Sequence, residues 1–214
     1  MARERVTENV PPDAAKLAPC PKACDDAERE GLRVTVILRG SRLVLRPVVE
    51  ADLPRLLEIL REPEVARHWS QPDDDFDRHE LLSGDDADGA ERITTFVIEV
   101  NEETVGWIAG WEKLHRDYRH AGIDLFLSTA HQGKGFGPEA IRLVSHFLFD
   151  ERGHHRITID PSADNVHAIT AYEKVGFKKV GVMRRYERGM DGIYHDGMLL
   201  DLLPEDLIDG QSGK

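Results

Sequence analysis

Between His131 and Phe149 the chain runs HQGKGFGPEAIRLVSHFLF, with glycines at 133, 135 and 137 directly ahead of an amphipathic stretch. Glycine backbone turns sharply and lets a ligand come close. A helix that starts at such a turn leaves its first N–H groups unpaired, and its dipole favours an anion there. The segment Gln132-Gly133-Lys134-Gly135-Phe136-Gly137 is therefore expected to cradle a pyrophosphate. Pro138 has no N–H to give and is well placed to open the helix, and Lys134 offers a cation that can pair with phosphate. Two known cradles do not fit. A Walker loop needs Lys-Ser/Thr after its last glycine, where this chain has Pro138-Glu139. A dinucleotide fingerprint needs Gly-x-Gly-x-x-Gly early in a βαβ unit. Here the spacing is Gly-x-Gly-x-Gly and it comes late in the chain.

The flanking pattern indicates what positions this turn. HAGIDLFLSTA reads as a strand running straight into it, and a helix should follow from Pro138 to about Asp150. Ile141, Val144 and Leu148 share a face of that helix at helical spacing, with Phe147 at its border. HRITID is a short strand, and NVHAITAYEKVGF a helix with Ala168, Ile169, Tyr172 and Val175 on one stripe and Gly176 as its stop. KKVGVM through GIYHDGMLLDLL closes the domain with two strands. Upstream, VTVIL and LVLRPV flank the turn RGS, and Leu53, Leu56, Leu57 and Leu60 make the stripe of a helix that Asp52 caps and Pro63 ends. TTFVIEV and TVGWIAGWEKL form a hairpin around NEE. The polar stretch in between carries the aromatic Trp69 and an acid run, Asp73 to Asp77, expected to be a solvated loop. Strands first, then strand–helix–strand–helix–strand, give a mixed α/β pattern.

Composition narrows the classes of function. With 214 residues the chain suits one domain with a full core, here 33–208, between a flexible extension, 1–32, and a tail, 209–214. It is 40% hydrophobic and 32% charged, and no apolar run approaches the roughly 20 residues of a membrane helix, so a soluble, cytoplasmic protein without a membrane partner is expected. A net charge of −12 argues against nucleic acid and favours a cationic small molecule or peptide. Cys20 and Cys24 are the two cysteines, too few for a metal site, and they read as ordinary thiols.

Two motifs resemble one superfamily. Gln132-x-x-Gly135-x-Gly137 is similar to the pyrophosphate-binding signature of the GCN5-related N-acetyltransferases (GNAT), and PSADNVHAITAYEKVGF to their later helix motif. RLVLRPVVEADLPRLLEIL is similar to their opening strand and first helix, so the resemblance covers about Val34 to Leu203. It implies a GNAT fold, of class α/β (α+β), with a mixed, splayed central sheet flanked by helices. It also implies acetyl-coenzyme A as co-substrate, no metal, and direct transfer of acetyl to an amine. Residue by residue, it implies donor contacts from Phe126, Leu127 and Ser128, from Gln132, Gly133, Lys134, Gly135, Phe136 and Gly137, and from Asn165. Phe126 to Ser128 are the expected hosts of an N–H that polarises the thioester carbonyl. Tyr172 is the implied general acid, and Asp124 the base or substrate anchor.

The acceptor is left open by the superfamily. GID, QGKGFG and IDPSADN with AITAYEKVGF resemble the aminoglycoside 6′-N-acetyltransferases, which implies a small cationic acceptor held by Asp124 and Asp160 and stacked on Trp69. Glu112 and Asp196 are further acceptor-site expectations. RLVLRPVVEADLP with EPEVARHW resembles the ribosomal-protein N-terminal acetyltransferases instead, and a siderophore or lysine-type amine is a third possibility. Either a monomer or a homodimer is compatible with these residues.

Overall fold

A computed structural model describes residues 36–69, 81–82, 84–85, 90–189 and 191–210. The expected extension, Cys20, Cys24 and the acid run Asp73 to Asp77 lie outside the described residues. Among the described residues nine strands build one sheet: β1 (Leu38–Arg39), β2 (Val44–Pro47), β3 (Gly84–Asp85), β4 (Glu91–Val100), β5 (Glu103–Lys113), β6 (His120–Leu127), β7 (Ile157–Ile159), β8 (Lys178–Arg188) and β9 (Tyr194–Leu202). Their order is β1-β2-β4-β5-β6-β7-β9-β8, with β3 beside β4. The β6–β7 pair is parallel and the other pairs are antiparallel.

Helices α1 (Leu53–Leu60), α2 (Pro63–Ala66), α3 (Phe136–His146) and α4 (Val166–Glu173) cover the two faces. Alternation along the strands sends one set of side chains to each face. Ile108 and Ile123 pack with Ile141 and Val144 of α3, with Leu148 just beyond it, and with Ile169 and Tyr172 of α4. Trp107, Ala109 and Phe126 pack with Leu56, Ile59 and Leu60 of α1 and with Val65 of α2. The mixed sheet with flanking helices is the expected architecture. The β4–β5 hairpin turns on Asn101 and Glu102, both left-handed (φ 50° and 65°), the geometry that suits a two-residue hairpin loop. Two boundaries differ from expectation. Pro63 opens α2 rather than simply stopping α1, and α3 starts at Phe136, two residues ahead of the expected Pro138, before a π-helical turn, Phe147–Glu151, carries it to the expected end. No helix of the described residues is long and apolar enough to cross a membrane.

The feature that makes a site is a parting of strands. β6 and β7 pair through Ala121↔Ile157 and Gly122↔Thr158. Beyond Gly122 the ladder ends, and the C-terminal half of β6 presents an open edge to the space before α4.

Candidate active site

The glycine turn sits where β6 hands over to α3. Gly133 (φ 70°) and Gly135 (φ 84°) are left-handed, a conformation that costs other residues about 1 kcal/mol or more, and Gly135 is the N-cap of α3. Gln132, Gly133, Gly135 and Gly137 line a groove of about 930 Å³, together with Leu125, Phe126 and Leu127 of β6 and Asn165, Ala168 and Tyr172 of the α4 segment. This is a backbone-rich wall ending at a helix N-terminus, which fits a pyrophosphate joined to an extended arm. Asn165 caps α4 by accepting a hydrogen bond from the Ala168 N–H at 3.1 Å.

Ladder parity decides which strand atoms face that groove. Antiparallel pairing points a residue's N–H and C=O to the same side, and the side alternates along the strand. Ala121 donates to the Arg156 carbonyl, on the β7 side, whereas Ser128 donates to the Val105 carbonyl, on the β5 side. Odd-numbered residues of β6 therefore face the parting, and even-numbered ones are spent on β5. This corrects the expected carbonyl-polarising hosts. Phe126 and Ser128 have their N–H groups committed to β5, so Leu127 and, in addition, Leu125 carry the N–H groups on the open edge. Gln132 anchors the end of that edge by donating to the Leu127 carbonyl at 3.0 Å. Ser128 is buried and shares a hydrogen bond with the His131 ring at 2.8 Å, so its side chain is committed as well. Phe126 does line the groove, while its ring stacks on Trp107 (5.6 Å between centroids) in the core.

A second cavity, of about 530 Å³, adjoins the groove and shares His68, Trp69, Leu125, Asn165 and Tyr172 with it. Asp124 on β6 and Asp160 just beyond β7 both line it, brought there by the parting of their strands. Trp69 forms its aromatic wall, set edge-on against Trp107 and Phe126. Tyr172 is only 9% exposed, and its hydroxyl has no hydrogen-bond partner among the described residues. Burial, then the charges of Asp124 and Asp160, push its phenol well above the usual range, so it stays protonated at neutral pH.

Tyr186 and Glu187 are among the lining residues not anticipated from the sequence. Tyr186 donates a hydrogen bond to the Asp160 carboxylate, and Glu187 stands beside it at the cavity wall. Burial, then the nearby Asp160, raises the pKa of Glu187, the behaviour of a carboxylate in an already acidic cavity. Both residues reach the cavity through a bulge. Between Met183↔Gly197 and Glu187↔His195 the β8 strand carries extra residues, with Arg185 left-handed (φ 52°).

Four further expected site residues fall elsewhere. Asp196 pins that bulge from outside the cavity: it is exposed, and its carboxylate accepts the Arg185 N–H at 2.7 Å. Lys134 and Phe136 belong to the turn but do not line the groove; the Phe136 ring lies under the Arg42 guanidinium at 5.1 Å. Glu112 is not an acceptor contact. It is buried beneath the sheet and hydrogen-bonded to the buried His154 at 2.7 Å, with Arg152 at 3.8 Å. Burial works to raise its pKa, but the bonds and charges of His154 and Arg152 outweigh this and hold it below the ordinary value. Its contribution to stability is thus present above the unfolded carboxylate range and is lost as pH falls through the lower, folded value. Glu112→Ala should lower unfolding free energy by ~3 kcal/mol in urea titration, because it strands a buried His. The acceptor KM should stay at its wild-type value, and a large rise would return Glu112 to the acceptor site. Among the described residues no group of three or more His, Cys, Asp and Glu side chains is disposed to hold a metal ion.

Comparison with known proteins gives this geometry a family. Residues 42–178 match the family model described as an Acetyltransferase (GNAT) domain. The aminoglycoside N(6′)-acetyltransferase type 1 of Klebsiella pneumoniae is 30% identical over 156 residues, covering 66% of this chain and 76% of the relative. The spermidine N(1)-acetyltransferase of Vibrio cholerae is 27% identical over 159 residues, covering 73% and 90%. Among solved structures, AAC(6′)-Ib in complex with paromomycin and acetyl-CoA superposes with a TM-score of 0.63 at 24% identity, covering 81% of this chain and 99% of that one. The chain therefore belongs to the GNAT acetyltransferase family and is an acetyl-CoA-dependent N-acetyltransferase.

Proposed function

We propose that the protein transfers acetyl from acetyl-coenzyme A to the 6′ amine of an aminoglycoside. The observation that carries this reading is the joining of two cavities at Tyr172. One is a backbone-lined groove suited to the donor. The other is a cavity walled by Asp124, Asp160 and Glu187 with Trp69 alongside, suited to a polycationic ring. Carboxylates in a partly enclosed site favour ammonium groups, and an indole face accepts the apolar face of a sugar. The similarity to the Klebsiella enzyme favours an aminoglycoside over a linear polyamine.

The chemistry follows from these positions. An ammonium acceptor gives one proton to Asp124, directly or through a water. The freed amine attacks the thioester carbonyl carbon, whose oxygen is stabilised by an N–H of the open β6 edge, at Leu125 or Leu127. As the C–N bond forms and the C–S bond breaks, the departing thiolate takes the Tyr172 proton. The second proton shed by the acceptor nitrogen restores the phenol. Across the reaction an ammonium and a thioester become an amide, a thiol and one released proton.

Thiol release from acetyl-coenzyme A, measured with purified protein, tests the acceptor class. Kanamycin and tobramycin should give kcat/KM values at least about tenfold above spermidine and ribosomal N-terminal peptides. Release that is faster with peptides or spermidine would overturn the aminoglycoside reading and leave the acetyltransferase assignment in place.

A further inference from the structure

The β1–β2 turn grips the glycine turn from outside. Arg42 spreads its guanidinium over three acceptors: Nη1 donates to the Lys134 carbonyl at 2.9 Å, Nη2 to the Gly135 carbonyl at 3.1 Å, and Nε to Glu139 at 2.8 Å. Glu139, in the first turn of α3, also accepts from the Arg42 N–H and the Ser41 hydroxyl, both at 2.9 Å. The fit is close, since a Cβ added at Gly135 would stand 3.1 Å from Arg42 Nη2. Burial tends to raise the pKa of Glu139, but the bonds from Arg42 and Ser41 prevail and hold it ionised, so the clamp stays charged.

A trans peptide carries its C=O and N–H on opposite sides. Holding the Lys134 carbonyl toward Arg42 therefore turns the N–H of Gly135 the other way, and holding the Gly135 carbonyl does the same for Phe136. Among the described residues no backbone carbonyl accepts either N–H. The planar fork matters, because a guanidinium can hold two adjacent carbonyls and a carboxylate at once, and an ammonium cannot keep that geometry.

We infer that Arg42 is a positioning residue for the donor. Its grip on two carbonyls aims the Gly135 and Phe136 N–H groups at the pyrophosphate of acetyl-coenzyme A. The inference rests on the reading of the Gln132–Gly137 turn as the pyrophosphate seat.

Comparing acetyl-coenzyme A with acetyl-pantetheine, which lacks the pyrophosphate, tests it. Each donor is assayed with wild type, Arg42→Ala and Arg42→Lys, at a fixed saturating concentration of whichever amine the wild type accepts best. Wild type should prefer acetyl-coenzyme A. In Arg42→Ala that preference, as a ratio of kcat/KM values, should fall about tenfold, through KM for acetyl-coenzyme A rather than kcat. Arg42→Lys should recover only part of it. An equal loss with both donors, or an unchanged preference, would overturn the positioning role. Full recovery in Arg42→Lys would overturn the forked grip, and this variant carries the test alone if Arg42→Ala does not fold. A wild type with no preference would instead remove the pyrophosphate seat itself.

Discussion

Tyr172→Phe is expected to lower kcat about 100-fold, the usual size of a general-acid contribution, with little change in the affinity for acetyl-coenzyme A. The substitution keeps the ring that packs in the core near Phe177 and deletes one hydroxyl that has no hydrogen bond to another described residue. Its cost to folding should therefore be small, and the loss should lie in turnover. The electrostatics explain why a phenol can serve here. In the resting cavity burial and two carboxylates push its pKa up, which keeps the proton on but makes it a reluctant donor. In the proposed mechanism an acceptor ammonium entering between Asp124 and Asp160 would offset those charges and lower the phenol's pKa when a proton is needed. Wild-type turnover in Tyr172→Phe, with the thiolate protonated by water, would sink the assignment.

Asp124→Asn should be the more damaging change, because in the proposed mechanism Asp124 is both base and anchor. The expected result is a kcat/KM for the acceptor lowered by about 1000-fold, with kcat reduced and KM raised together. The pH dependence separates the two roles. Asp124 as base matters while the acceptor amine is protonated. As pH rises toward the amine's own pKa, the free amine needs no base, so the deficit in kcat should shrink by about pH 9 while the KM deficit persists. Measuring kcat from about pH 6 to pH 9 for both proteins checks this. A kcat deficit that stays constant across the range would make Asp124 an anchor alone.

What the sequence discloses about this site follows from how local each determinant is. The glycine turn is written within six residues, because left-handed φ at positions 133 and 135 is a demand of the chain itself. The α3 and α4 stripes are equally legible, since helical spacing records the face that will be buried. Asp124 and Asp160 could be proposed through family resemblance, yet their meeting in one cavity depends on where the β6–β7 ladder stops. Tyr186 and Glu187 carried no signal. They enter the cavity because a bulge in β8 is fixed by Asp196, a contact across a hairpin that no spacing rule announces. Glu112 was misread for a related reason. Its partner His154 lies 42 residues away, and nothing near Glu112 in the chain marks it as buried. The misassigned N–H groups of Phe126 and Ser128 are a question of parity, which a strand pattern leaves open until its hydrogen-bonded neighbour is known.

The most direct test of acetyl transfer to the 6′ amine is thiol release from acetyl-coenzyme A with kanamycin beside an analogue that lacks only that amine. Fast release with kanamycin and none with the analogue is the expected result, with the product acetylated once at the 6′ nitrogen. Equal release with both compounds would contradict it, since the acceptor nitrogen would then lie elsewhere on the ring system and Asp124 and Asp160 would hold the substrate in a different orientation.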